Sequence, residues 1–350
     1  MDTKYPVCWI ACLTLFLNLG LAFSAPTYAA QAAVTPLENA GGPLRVRNLS
    51  PVMQLYGTPR MVGARVIDGD MEASFNFEAA NNFQSELSNG TFGFFDGETY
   101  VSSWRVRNNF PDDWAPGWEW GVEIPWVIHT PGALDSLVEE FHSLFGLPDG
   151  DRNLTTRNRL DYFVGADGVV YADFNASRRE LGDVRAFLGR QIFDRENSAL
   201  ALRAQLKLPT GDVEDLSGSG GTDVAIWGEY EWATPARLPS GPVRLTLSAG
   251  MVYLSEGDLI PNAQEHWVPI GHLGIQIPLG PRVEFHAQMD AHGRILNTGN
   301  PLVADAGVLG TLGGRIAVTD RFWIDLAIIE DLENEAASDV VFQVLLGTRL

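Results

Sequence analysis

From Met71 to Leu350 the chain repeatedly alternates apolar and polar residues, and this alternation limits the possible folds more than any other feature. Met71, Ala73, Phe75, Phe77 and Ala79 are apolar, while Glu72, Ser74, Asn76 and Glu78 between them are polar. Side chains of an extended strand point alternately to its two faces, so period two gives one greasy and one wet face. The pattern returns in Trp120 to Trp126, Leu200 to Leu208, Val243 to Met251 and Val283 to Met289. Many runs are about nine to thirteen residues long, enough to cross a bilayer at a tilt, whereas ordinary strands are nearer five or six. The polar face carries full charges in nearly every run. A barrel can turn such a face to a wet lumen, with the apolar face toward lipid.

Counting the runs predicts strands near 71–79, 98–107, 119–127, 158–165, 168–176, 184–192, 199–208, 223–232, 243–253, 268–279, 282–290, 306–318, 321–330 and 339–350. The expected fold is all-β: an antiparallel transmembrane β-barrel of about 14 strands, with 12 as the alternative count, since bacterial single-chain barrels have even numbers. Tight turns at Thr319-Asp320, Gly280-Pro281 and Ala166-Asp167-Gly168 alternate with longer polar segments at 331–339, 292–305, 255–266 and 209–222. Short periplasmic turns and long extracellular loops are the rule in such barrels. The connection from Ala233 to Pro242 is long for a periplasmic turn. The last strand puts Val340, Phe342, Val344, Leu346, Thr348 and Leu350 on one face. Phe342, Val344, Leu346 and Leu350 are the residues expected to present it to the barrel-assembly machinery.

One stretch breaks period two. Leu134, Leu137, Val138, Phe141, Leu144 and Phe145 have helical spacing, with Thr130 and Pro131 before them and Gly146 and Pro148 after. A short helix over 132–146, in the loop after the third strand, is therefore predicted.

Residues 7–23 are almost wholly apolar, with Lys4 ahead and small residues at Ser24, Ala25, Ala29 and Ala30. This is the three-part pattern of a secretory signal peptide. The organisation read from the sequence is a signal peptide over 1–29, a periplasmic N-terminal segment over 30–70 and a barrel domain over 71–350. Cys8 and Cys12 both fall within the signal. The mature chain then has no disulfide, thiolate or Cys-ligated metal.

Two regions carry a family resemblance. Pro43-Leu44, Asn48-Leu49-Ser50-Pro51 and Leu55-Tyr56-Gly57-Thr58-Pro59 form the first. Gly132-Ala133-Leu134-Asp135-Ser136, Phe141-His142-Ser143-Leu144-Phe145-Gly146-Leu147-Pro148 and Arg152 form the second. Together they resemble the uncharacterised proteobacterial family known as domain of unknown function 3187. The resemblance implies an outer-membrane location and a barrel, and no chemistry. Leu208-Pro209-Thr210-Gly211-Asp212 also resembles the strand-to-loop corner of barrels proposed to pass aromatic hydrocarbons, although the same residues are simply good turn formers.

No hydrolase, phosphate-loop or metalloprotease motif is present, and the net charge of −20 argues against nucleic-acid binding. No cofactor or metal is expected, and no enzymatic role. His286 and Asp290 share a polar face four residues apart; a lumenal hydrogen-bond pair is the favoured reading over a catalytic dyad. Candidate lumen-lining residues are Glu72, Arg105, Arg107, Glu123, Arg203, Lys207, Asp223, Glu229, Arg244, Glu284 and His286. The expected partners are outer-membrane lipids and lipopolysaccharide, the assembly machinery and a small-molecule solute. The sequence thus predicts a Gram-negative outer-membrane channel or facilitator for small or hydrophobic solutes. A closed structural or adhesive barrel, and a soluble periplasmic β-sandwich, are the alternatives.

Overall fold

The computed structural model describes residues 41–67, 69–134, 158–238, 240–332 and 337–350. The predicted signal peptide and nearly all of the predicted 132–146 helix lie outside the described residues. The strands are β1 (Glu72–Ser88), β2 (Thr91–Asn109), β3 (Trp118–Thr130), β4 (Asp161–Ala166), β5 (Val169–Phe174), β6 (Arg178–Leu181), β7 (Arg185–Arg195) and β8 (Ser198–Lys207). They continue as β9 (Asp223–Leu238), β10 (Gly241–Leu254), β11 (Trp267–Pro278), β12 (Val283–His292), β13 (Gly307–Ala317), β14 (Phe322–Asp331) and β15 (Val340–Arg349).

Every described strand pairing is antiparallel, and twelve strands close on themselves. From β7 to β15 each strand pairs with the next, β15 returns to β1, and β1, β2 and β3 lead back to β7. The seam joins first strand to last, from Glu72 opposite Arg349 to Asn81 opposite Val340. Closure leaves no open edge, which backbone polar groups in a bilayer require.

The barrel therefore has the alternative count of twelve. The segments predicted at 158–165 and 168–176 are strands, but they lie outside the ring. Residues 82–88 of β1 and 91–97 of β2 run on beyond the seam as a hairpin, and β4 pairs with that extension of β2, from Thr91 opposite Ala166 to Asp96 opposite Asp161. β5 then pairs with β4. The turn at Ala166-Asp167-Gly168 consequently sits beside Gly90, whose carbonyl accepts the Asp167 N–H. It is at the loop end and not, as expected, with the other tight turns. β6 is a short addition beside β3. The long Ala233–Pro242 connection resolves as strand: β9 runs to Leu238, and two residues separate it from β10.

The alternation sorts the faces as expected. Phe77, Trp104, Ile124, Leu202, Ile226, Leu247 and Leu273 point outward and are exposed, whereas Glu72, Ser74, Asn76 and Glu78 are buried. On the last strand Val344 and Leu346 face outward and Gln343 faces in. Outward aromatics meet across strands, as in Phe75 against Trp104 and Phe77 stacked on Tyr100. Such rings suit a membrane interface.

Candidate functional site: a plugged lumen

A lumen twelve strands wide is too broad for its own inward side chains to fill, since about eight strands already leave just enough room for them. Here the chain ahead of β1 occupies it. Nearly all of residues 41–67, part of the 30–70 segment that the sequence assigns to the periplasm, are buried. It enters at the turn end, where the Gly42 carbonyl accepts from Arg315 Nη1 at 3.2 Å. It climbs past Asn48, which meets His292 at 3.0 Å near the other end of β12, and turns through a short 3₁₀ stretch at Met53–Leu55. It then descends past Gly57, Arg60 and Gly63 to Ile67, whose N–H donates to Glu119 at 2.9 Å. The two limbs touch where Gly42 and Gly63 meet, both at positive φ; a Cβ on Gly42 would lie 2.5 Å from the Val62 carbonyl oxygen.

Among the described residues the segment pairs with no strand, so its backbone needs other hydrogen-bond partners. Side chains of the wall supply them. Gln288 holds Leu44 from both sides, accepting from its N–H and donating to its carbonyl at 3.0 Å each. Gln191 donates to the Ala64 carbonyl at 2.9 Å and accepts from Val66 N–H at 2.8 Å. Gln343 donates to the Arg45 carbonyl, Gln205 to that of Gly57 and Arg203 to that of Gly63. Glu229 accepts the N–H groups of Val62 and Gly63 at 3.1 and 2.6 Å.

Charge pairs add to this grip. Arg45 reaches Glu72, and Arg65 reaches Glu231. Arg60 forms a fork on Glu78 and lies 3.4 Å from Glu123. The wall also pairs within itself. Arg203 bridges Glu119 at 2.7 Å and Glu229 at 2.9 Å, Arg105 meets Glu123 at 2.6 Å, and Arg107 meets Glu72 at 2.9 Å. Arg244 pairs with Glu284. Lys207, fully buried, sits 2.5 Å from Asp183 and 3.3 Å from Asp223.

All eleven sequence-derived lumen residues are thus buried and inward. His286 meets Glu284 at 3.0 Å rather than Asp290, and Asp290 is instead taken by His272 across the ladder at 2.9 Å. The expected His286–Asp290 pair does not form, because side chains four apart on a strand lie further apart than cross-strand neighbours. Asp183, which sequence reading passed over, binds Lys207 and the N–H groups of Gly211 and Ser219. The Leu208–Asp212 corner is folded around it, with the Thr210 hydroxyl donating to the Gly182 carbonyl at 2.7 Å. Trp227, a large apolar ring on the otherwise polar inward side of β9, donates its indole N–H to Glu229 at 2.8 Å.

The two ends differ. At the loop end Val52, Met53, Leu55 and Tyr56 of the segment join Phe95, Leu216, Ile295 and Leu302 in one buried apolar cluster. At the turn end a recess of about 470 Å³ opens between Arg65, Arg107, Glu231, Arg244 and Arg349.

The fold and this lumen define an outer-membrane-type β-barrel with an internal plug. The chain belongs to the family described as "Protein of unknown function (DUF3187)", whose profile matches residues 21–349. No curated protein matches the sequence. Among solved structures, the COG4313 outer membrane channel from Pseudomonas putida F1 superposes with a TM-score of 0.56 at 10% identity, covering 82% of this chain and 98% of that one. That likeness establishes the fold. Weaker matches include a KdgM porin in complex with disordered oligogalacturonate (TM-score 0.42, 5% identity, 80% and 99% coverage). Another is the Ralstonia pickettii toluene transporter TbuX (0.39, 9%, 81% and 90%).

Proposed function

We propose that this protein is an outer-membrane channel for a small solute, held shut by its own N-terminal segment. The short connections face the periplasm, and the loops and the protruding hairpin face outside. One observation carries the reading: the lumen is filled by a separate segment, non-covalently held and tethered to the barrel through the residues just before β1. A barrel whose role is purely structural has no need of a movable filling. The mid-lumen is lined by charged and amide side chains, which favours a polar solute over a hydrophobic one. The barrel conducts and does not catalyse.

The rival is a closed structural barrel, favoured by the completeness with which the wall satisfies the segment. Single-barrel conductance in planar bilayers separates the two. The intact protein is expected to be silent or to flicker, and a variant lacking residues 41–66 to give steady open current. A heat-modifiable, and therefore folded, deletion variant that passes no current overturns the channel reading and leaves the structural one.

A further inference from the structure

The plug and the wall carry opposite charge. Residues 41–67 contain Arg45, Arg47, Arg60 and Arg65 and no acidic residue. Among the described residues, and leaving out Asp96 on the protruding part of β2, the buried side chains of the twelve barrel strands include ten carboxylates and seven Lys or Arg. The wall is therefore three formal charges negative, and the plug supplies four positive ones. The opposition of sign is local as well as global. Glu72, Glu119, Glu123 and Glu229 keep arginine partners on the wall when the plug is ignored, namely Arg107, Arg203, Arg105 and Arg203. Glu78 and Glu231 do not: the cations described facing them are Arg60 and Arg65 of the plug. They are buried, and they lie at different depths, Glu78 opposite Gln343 and Glu231 near the turn end.

We infer that the open pore selects for cations, and that the solute it passes carries positive charge. This rests on the channel reading above. Once the plug leaves, water replaces the guanidinium groups at Glu78 and Glu231; Glu231 still shares its recess with Arg107, Arg244 and Arg349, and Glu78, deeper in the lumen, dominates the potential of the passage. Charged side chains at a constriction select ions of opposite sign in this way, and low-dielectric walls focus their field along the axis. The plug's arginines occupy the positions through which a cation would pass, so plug and solute compete for the same carboxylates.

The test measures reversal potentials across a KCl gradient, with potassium and chloride as the probes. The barrel lacking residues 41–66 is expected to pass potassium several-fold better than chloride. Glu78→Gln with Glu231→Gln in that background should bring the ratio close to one. Equal or chloride-favouring permeation before those substitutions overturns this inference while leaving a channel. A folded deletion variant with no current overturns the channel reading and this inference with it. If the deletion does not fold, the full chain carrying Arg60→Gln and Arg65→Gln loosens the plug, and the same ratio is read from its open events: potassium preference supports the inference, and its absence overturns it.

Discussion

Arg60 of the lumenal segment and Glu78 of β1 form a two-pronged pair, with Nη1 donating to Oε1 and Nη2 to Oε2, each at 2.6 Å. Both side chains are almost completely shielded. Planar guanidinium and carboxylate groups meeting in this way are both strong and directional. Removing one member of a buried pair costs about 3–5 kcal/mol, and without Glu78 the Arg60 guanidinium keeps only Glu123, at 3.4 Å. Glu78→Ala is therefore expected to release the plug. Trypsin should then cut at Arg60 in folded barrels, where the parent resists. Resistance equal to the parent would mean that this pair does not hold the segment.

The crossing of the two limbs gives a second expectation. Gly63 sits at φ 106° with Gly42 against it, and a Cβ there would lie 2.8 Å from the Gly42 Cα. Positive φ and close backbone approach both favour glycine. Gly63→Ala should loosen the plug by about 1–3 kcal/mol through overpacking, seen as more frequent opening in single-barrel records. The ladder itself should survive, so the heat-modifiable gel shift should not change.

A covalent lock supplies a third. A Cβ on Gly57 would fall beside the Cβ of Asp223 on β9, and a small relaxation would bring the two to disulfide separation, about 3.8 Å. The only cysteines in the chain are Cys8 and Cys12. Gly57→Cys with Asp223→Cys should stay closed when oxidised and open on adding reductant. Current that ignores reductant would show that solutes bypass the segment.

The outward face can be tested separately. Leu247 is 53% exposed in the middle of β10, where lipid is expected. A charged residue at the midplane of such a barrel costs about 2–4 kcal/mol. Leu247→Arg should lower the fraction of heat-modifiable barrel recovered from outer membranes. A soluble sandwich would tolerate the same change on its wet surface.

Much of the architecture was legible because inside and outside alternate at every step of a strand. All fourteen predicted strands are present, several within one or two residues, and the eleven candidate lumen residues all point inward. What pairs with what was less legible. β4 and β5 are short, mostly apolar strands, and nothing in Tyr162, Val164 or Ala172 tells a ring strand from one added to a protruding hairpin. β6, four residues of mostly charged sequence, gave no period at all. The plug was missed because it has no regular structure to announce it. Its one signal was compositional: four arginines and no acid across residues 41–67 of a chain with net charge −20.

The hydrogen bond from Gln343 to the Arg45 carbonyl has a consequence for the order of events in biogenesis. It joins the segment before the first strand to the middle of the last one. That bond, like the seam between β1 and β15, cannot form until the last strand has been delivered. The N-terminal segment therefore waits through almost the whole length of the polypeptide for its final contacts.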